Sequence, residues 1–176
     1  MSFKYLPKPV SSLLVFLAAM WMILSATIVT AAAPLSQGQP APDFTLKSNT
    51  NVNMRLGEMR GEVIMLNFWA TWCGPCRQEM PELEKLYNKF KSAGFRVLAI
   101  NVDTETKNTK NFLSSLNISY PVLFDNQKSV SRQYNIEAMP SSVIIDRDGK
   151  IRYIHQGYQP SYVALYEAQI RRLVQE

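Results

Sequence analysis

The chain has 176 residues, 47% of them hydrophobic and 19% charged, which fits one globular domain plus a targeting segment. The formal charge of +5 shrinks once Lys4 and Lys8 are set aside: beyond residue 33 there are 17 basic against 14 acidic side chains, an excess of +3. Those basic residues are interleaved with acids, as in Arg77-Gln78-Glu79 and Asp146-Arg147-Asp148-Gly149-Lys150, a solvated surface that argues against a nucleic-acid partner.

No charged residue occurs from Leu13 to Ala33. Twenty helical residues rise about 30 Å, enough to cross a hydrocarbon core. Lys4 and Lys8 lie ahead of this stretch and no acid precedes Asp43, so the positive-inside bias holds the N-terminus in the cytoplasm. Two outcomes are open. Ala31-Ala32-Ala33 offers a small-residue cleavage site, which leads to a soluble periplasmic protein. Against cleavage, Pro34 follows the site directly, and the apolar stretch exceeds the ~7–15 residues of a secretory signal core. The expectation is that residues 1–33 form a signal-anchor, a single transmembrane helix in the inner (cytoplasmic) membrane. The remainder then faces the periplasm or outer side.

Residues 34–43 are rich in Pro, Gly, Gln and Ser and read as a linker; the domain proper is expected over 44–176. Phe44–Leu46 and Met54–Leu56 are two short strand candidates around a Ser48-Asn49-Thr50-Asn51 turn. After Gly61 comes EVIMLNFW, a nearly continuous apolar run that reads as a central strand buried on both faces. Leu83, Leu86, Tyr87 and Phe90 then recur at helical spacing, with Pro81 as a source of kinking and Gly94 as a stop. FRVLAINV, residues 95–102, is a second buried strand. Phe112, Leu113 and Leu116 suggest a short helix, Pro121–Phe124 a strand, and Val130 with Tyr134 another short helix. SVIID and IRYIH flank an Asp148-Gly149 turn and read as a hairpin. Val163, Tyr166, Ile170, Leu173 and Val174 complete the pattern with an amphipathic C-terminal helix. Alternating strands and helices closed by a hairpin define an α/β domain with a mixed central sheet. His155 falls on the last strand with no catalytic partner, and Asp103 and Glu105 read as loop and surface groups.

Both cysteines of the chain, Cys73 and Cys76, stand in NFWATWCGPCRQEMPEL, directly after the first apolar run. A staple, a metal clip and a reversible redox switch are the candidate roles. A bridge between residues three apart closes so small a loop that it removes little unfolded-state entropy. A structural zinc site needs four ligands, and the chain offers two cysteines and one distant histidine. Haem attachment requires His after the second cysteine, where Arg77 stands. The switch has a mechanism: a strand feeding a helix puts Cys73 at the helix N-terminus, where unpaired N–H groups and the macrodipole favour a thiolate. Pro75 suits that first turn, and residues i and i+3 lie close enough to bridge. In this reading Cys73 is the exposed attacking thiol, and Cys76, deeper in the helix, resolves the mixed disulfide.

WCGPC after NFWA resembles the thioredoxin superfamily. The APDFTL stretch, the GEVIMLNFW strand, Glu79-Met80-Pro81 and Met139-Pro140 narrow the resemblance to the membrane-tethered, ResA- and TlpA-like thiol-disulfide oxidoreductases. It runs from about Pro40 to the C-terminus and includes a helical insertion after the second buried strand. The resemblance implies a thioredoxin-like fold with an N-terminal hairpin, and a redox-active Cys73–Cys76 pair that needs no cofactor and no metal. It implies that Pro140 is the cis-proline facing the cysteines, that Met139 lends its backbone to a docking cysteine-containing peptide, and that Trp72 flanks the nucleophile. Asn67 replaces the buried aspartate of thioredoxin itself and cannot take a proton; Glu79 matches the glutamate of the ResA-like proteins, with a solvated helix residue as the alternative. Gly74-Pro75 matches the reducing thioredoxins, whose potential is about −270 mV. Reduction of protein disulfides, for example those of apocytochrome c in cytochrome c maturation, is therefore expected, with a membrane thiol donor returning electrons. Peroxiredoxins share the APDFTL-like opening but carry Pro and Thr where this chain has Leu66 and Ala70. A tethered peptide-binding or holdase module with an incidental cysteine pair is the rival from another class.

Overall fold

The computed structural model describes residues 35–176. The proposed anchor, residues 1–33, lies outside the described residues; among these, no helix is long and apolar enough to cross a membrane. The strands are β1 (Thr45–Ser48), β2 (Asn53–Arg55), β3 (Val63–Trp69), β4 (Phe95–Asn101), β5 (Val122–Phe124), β6 (Ser141–Ile145) and β7 (Ile151–Gln156). The helices are α1 (Gly74–Phe90), α2 (Thr106–Leu113), α3 (Ser129–Gln133) and α4 (Tyr162–Gln175).

One mixed sheet organises them, in the order β2-β1-β5-β4-β3-β6-β7. The two long apolar runs, β3 and β4, lie parallel at its centre with Val63 opposite Phe95 and Asn67 opposite Ala99. β6 joins the other side of β3 antiparallel, placing Ser142 opposite Asn67. Every residue of β3 is buried, as a strand covered on both faces requires. Its alternation sorts the side chains. Val63, Met65 and Trp69 join the core under α1 and α4, with Leu83, Leu86, Phe90, Ile170 and Leu173. Ile64, Leu66 and Phe68 join the opposite core, with Val130 and Tyr134. Asn67 shares the parity of Val63, Met65 and Trp69, so the one polar residue of the strand faces the α1 side.

The fold class agrees with the sequence reading, while three boundaries move. The first strand runs to Ser48 and the second ends at Arg55, because Leu56–Met59 turns into a 3-10 helix with Leu56 buried. The insertion helix starts at Thr106, a full turn and more before its first large apolar residue, and Leu116 lies in the turn after it. α1 is continuous through Pro81. It is followed by a 3-10 turn over Lys91–Ala93 and ends at Gly94, whose φ of 84° is the left-handed conformation glycine adopts without strain. Within the linker stretch, Gly38 and Ala41 donate to the carbonyls of Ile151 and Gly149, and Ile151 donates to that of Gln39. This segment thus pairs with the β6–β7 hairpin. Arg147, in the hairpin turn, donates to the carbonyls of Gly61, Ala93 and Val174, tying the starts and ends of β3, α1 and α4 together.

Candidate active site

Cys73 is the N-cap of α1, with extended backbone, and its sulfur accepts from the Cys76 N–H at 3.3 Å. Pro75 sits in the first turn, where its missing N–H costs nothing. The two sulfurs are joined as a disulfide across a Cα separation of 5.3 Å. Cys73 is more accessible than Cys76, but at 5% exposure against 0% it is not the exposed thiol that the sequence suggested. In the oxidised form its sulfur folds back over the helix end and packs into the α1-side core. Trp72, directly before Cys73, is 68% exposed.

The loop before Cys73 is anchored from below. Asp103, expected on the surface, is buried, and its carboxylate accepts from the Thr71 N–H, Asn101 Nδ2 and Thr109 Oγ1 at 3.0 to 3.3 Å. Asn126 Nδ2 donates to the Asp103 carbonyl at 2.7 Å. The end of β4, the start of the insertion and the cysteine loop are therefore held by one polar knot. A cleft of about 410 Å³ opens above it, lined by Trp72, Val102, Glu105 and Lys128 among others.

Glu79, one helical turn beyond Cys76, is fully buried, which excludes the solvated alternative. Its Oε2 accepts from Asn67 Nδ2 at 2.7 Å and its Oε1 from the Tyr166 hydroxyl at 2.9 Å. Asn67 Nδ2 also donates to Ser142 Oγ at 3.0 Å. Burial raises the Glu79 carboxyl to about 7, with the two hydrogen bonds acting in the opposite direction. Burial likewise pushes the Tyr166 phenol well above its ordinary range, helped by the neighbouring Glu79 charge. Asn67 Oδ1 and Trp69 Nε1, on the same face of β3, are buried without a hydrogen-bond partner.

The Met139–Pro140 peptide is cis. Met139 packs half-buried against the core cluster that contains both cysteines, and the Pro140 carbonyl accepts from the Gly157 N–H at 2.7 Å. His155 lies on edge strand β7, bonded to Gln169 at 2.8 Å, with its ring edge-on to Tyr166 at 5.0 Å. Among the described residues no group of His, Cys, Asp and Glu side chains is arranged to hold a metal ion. Sequence reasoning missed Tyr166, Ser142 and Asp103. Tyr166 carried only the signal of a helix core position, and Ser142 and Asp103 carried none until the strands were registered.

A vicinal cysteine pair at the mouth of a helix, in a sheet of this order, with a buried carboxyl a turn away, defines a thiol-disulfide oxidoreductase of thioredoxin-like fold. Residues 36–170 match the Redoxin family model, and the chain belongs to that family. It is 34% identical to the thiol-disulfide oxidoreductase ResA of Geobacillus kaustophilus over 145 residues, 82% of this chain and 83% of that one. It is 31% identical to ResA of Bacillus subtilis, over 79% of this chain and 78% of the relative. A crystal structure from Chlorobium tepidum, assigned as the thiol:disulfide interchange protein DsbE, superposes with a TM-score of 0.77 at 38% identity, covering 80% of this chain and 99% of that chain. The cysteine pair is accordingly of the ResA/DsbE type, and its substrates are cysteine-containing proteins.

Proposed function

We propose that this oxidoreductase works outside the cytoplasm, tethered to the membrane by residues 1–33, and reduces disulfides in target proteins such as apocytochrome c. The Cys73 thiolate attacks a substrate disulfide and forms the mixed disulfide, releasing one substrate thiolate. Cys76 then gives its proton to Glu79 and attacks the Cys73 sulfur. The substrate's second thiolate leaves and the protein is left oxidised; a membrane thiol donor restores the dithiol. Trp72, Met139 and Pro140 meet the docking peptide: Trp72 through its exposed ring beside the nucleophile, Met139 and Pro140 through backbone in extended pairing.

The observation that carries this reading is the burial of Glu79 one turn from Cys76, with a proton affinity matched to neutral pH. Asn67, its neighbour, cannot titrate. Gly74-Pro75 between the cysteines favours the reducing direction. The test is exchange kinetics with a protein disulfide. Glu79→Gln is expected to fold and to reduce the substrate at least tenfold more slowly, the low end of general acid–base effects being ~10². Wild-type rates would leave Glu79 a structural residue. Carbonate extraction followed by mass spectrometry of the N-terminus tests the tether, and a soluble product starting near residue 34 would replace it with a cleaved signal.

A further inference from the structure

The Glu79 carboxyl has two hydrogen-bond partners of different chemistry. Asn67 approaches it with an amide N–H, which can only donate. Tyr166 approaches it with a hydroxyl, which can donate or accept. A carboxylate is satisfied by both. A protonated carboxyl carries a donor of its own, and only a partner able to accept can receive it.

We infer that Tyr166 is the positioning residue of the proton-transfer step, its hydroxyl reversing between donor and acceptor as Glu79 changes protonation state. This rests on the role proposed for Glu79 above. With the carboxylate, the Tyr166 O–H points at Oε1. When Cys76 gives up its thiol proton, the proton becomes a Glu79 O–H. The Tyr166 hydroxyl accepts it by rotating its own hydrogen off Oε1. The thiolate then attacks the Cys73 sulfur; the bond from Cys73 to the substrate breaks as the Cys73–Cys76 bond forms. One hydroxyl rotation accompanies the step, and neither helix nor strand has to move.

The surroundings keep that proton local. Asn67, Glu79, Ser142 and Tyr166 are each at most 1% exposed. The other titratable groups that feel Glu79 are the phenols of Tyr120, before β5, and Tyr158, after β7, both raised chiefly by burial. No cation is among the groups acting on the Glu79 carboxyl. Cys76, one turn back on α1, is the group that the proposed step pairs with Glu79. The ring of Tyr166 is fixed independently of its hydroxyl, edge-on to His155 at 5.0 Å and tilted against Tyr162 at 6.0 Å. Removing the oxygen alone leaves that packing in place.

The test follows the Glu79 carboxyl by ¹³C NMR titration, and the rate of mixed-disulfide resolution against pH, in wild type, Tyr166→Phe and Glu79→Gln. Tyr166→Phe loses a charge-assisted bond to the carboxylate and a weaker neutral bond from the protonated carboxyl. The charged form loses more, so the midpoint rises in both profiles, by less than about one pH unit. Incorporation of 3-fluorotyrosine, a stronger donor on the same ring, shifts the midpoint downward and serves if Tyr166→Phe does not fold. An unmoved midpoint with either replacement overturns the role of Tyr166. Slowed exchange in Glu79→Gln alongside an unmoved midpoint overturns Tyr166 alone. Wild-type exchange in Glu79→Gln overturns the proton role of Glu79 itself.

Discussion

Asn67 Nδ2 lies 2.7 Å from Glu79 Oε2, both side chains having no exposure to solvent. An amide placed where a carboxylate could have stood gives the site a single titrating carboxyl beside the cysteines. Two like charges at that distance in the interior would force one to stay protonated. With Asn67 the proton inventory is simple: Glu79 alone takes it or gives it back.

That inventory predicts how stability depends on pH. Glu79 titrates at about 7 in the folded protein against an ordinary value of 4.5. Between those limits the native state holds a proton that the unfolded chain has lost, so stability falls as pH rises. The contribution is fully present below the unfolded value and is lost by the time pH passes the folded one. At 1.36 kcal/mol per unit the loss comes to about 3 kcal/mol. Denaturant unfolding of the oxidised protein at pH 4.5 and pH 8 is expected to show it, and Glu79→Gln to flatten the difference. An equal slope in the variant assigns the effect to other groups.

The two thiols of the reduced protein are expected to react unequally. Cys73 sits at the helix N-cap, where the dipole and first-turn N–H groups favour the thiolate, and it retains 5% exposure; Cys76 is fully buried. Iodoacetamide near pH 7 should label Cys73 well before Cys76. Cys76→Ser should accumulate mixed disulfides with substrates that Cys73→Ser does not. Equal labelling, or trapping by Cys73→Ser alone, reverses the assignment.

The proposed N-terminal tether would set where the enzyme meets its substrates. The expected product is an intact chain that stays with the membrane after carbonate extraction. Loss of residues 1–33 would instead release the remaining chain from the membrane fraction.

How much of this was legible beforehand follows from the kind of signal each residue carries. β3 announced itself through a long apolar run, and the cysteine spacing announced the helix mouth. Glu79 was legible because one helical turn is a local relation. Its partners were not: Tyr166 is 87 positions away, and Ser142 lies 75 positions from Asn67. Only the register of β6 on β3 and the packing of α4 bring them together. Asp103 misled for the reverse reason. An acid between a strand and a polar stretch ordinarily meets solvent, and nothing local shows that Thr71, Asn101 and Thr109 will converge on it. The start of the insertion helix was not legible because its first turns are polar and carry no apolar period.

Asp103 supplies the last prediction. Its carboxylate gathers the Thr71 N–H, Asn101 Nδ2 and Thr109 Oγ1 at a site with 7% exposure. Asp103→Ala strands these donors, and each buried donor left unpaired costs about 1–3 kcal/mol. Thr109 can still turn its hydroxyl to Asn101 Oδ1, 2.9 Å away, so two donors carry the loss, about 3 kcal/mol together. The functional consequence is separate from the thermodynamic one. Thr71 lies two residues before Cys73 in the loop that sets the cysteine at the N-cap, so releasing its N–H loosens the nucleophile without touching Glu79. Asp103→Ala should therefore lower the Cys73 alkylation rate while leaving the Glu79 titration midpoint in place. Asp103→Asn keeps an acceptor for the Thr71 N–H and should recover much of the alkylation rate. If Asp103→Ala unfolds at the wild-type denaturant concentration and alkylates as fast, the knot does not hold the cysteine loop.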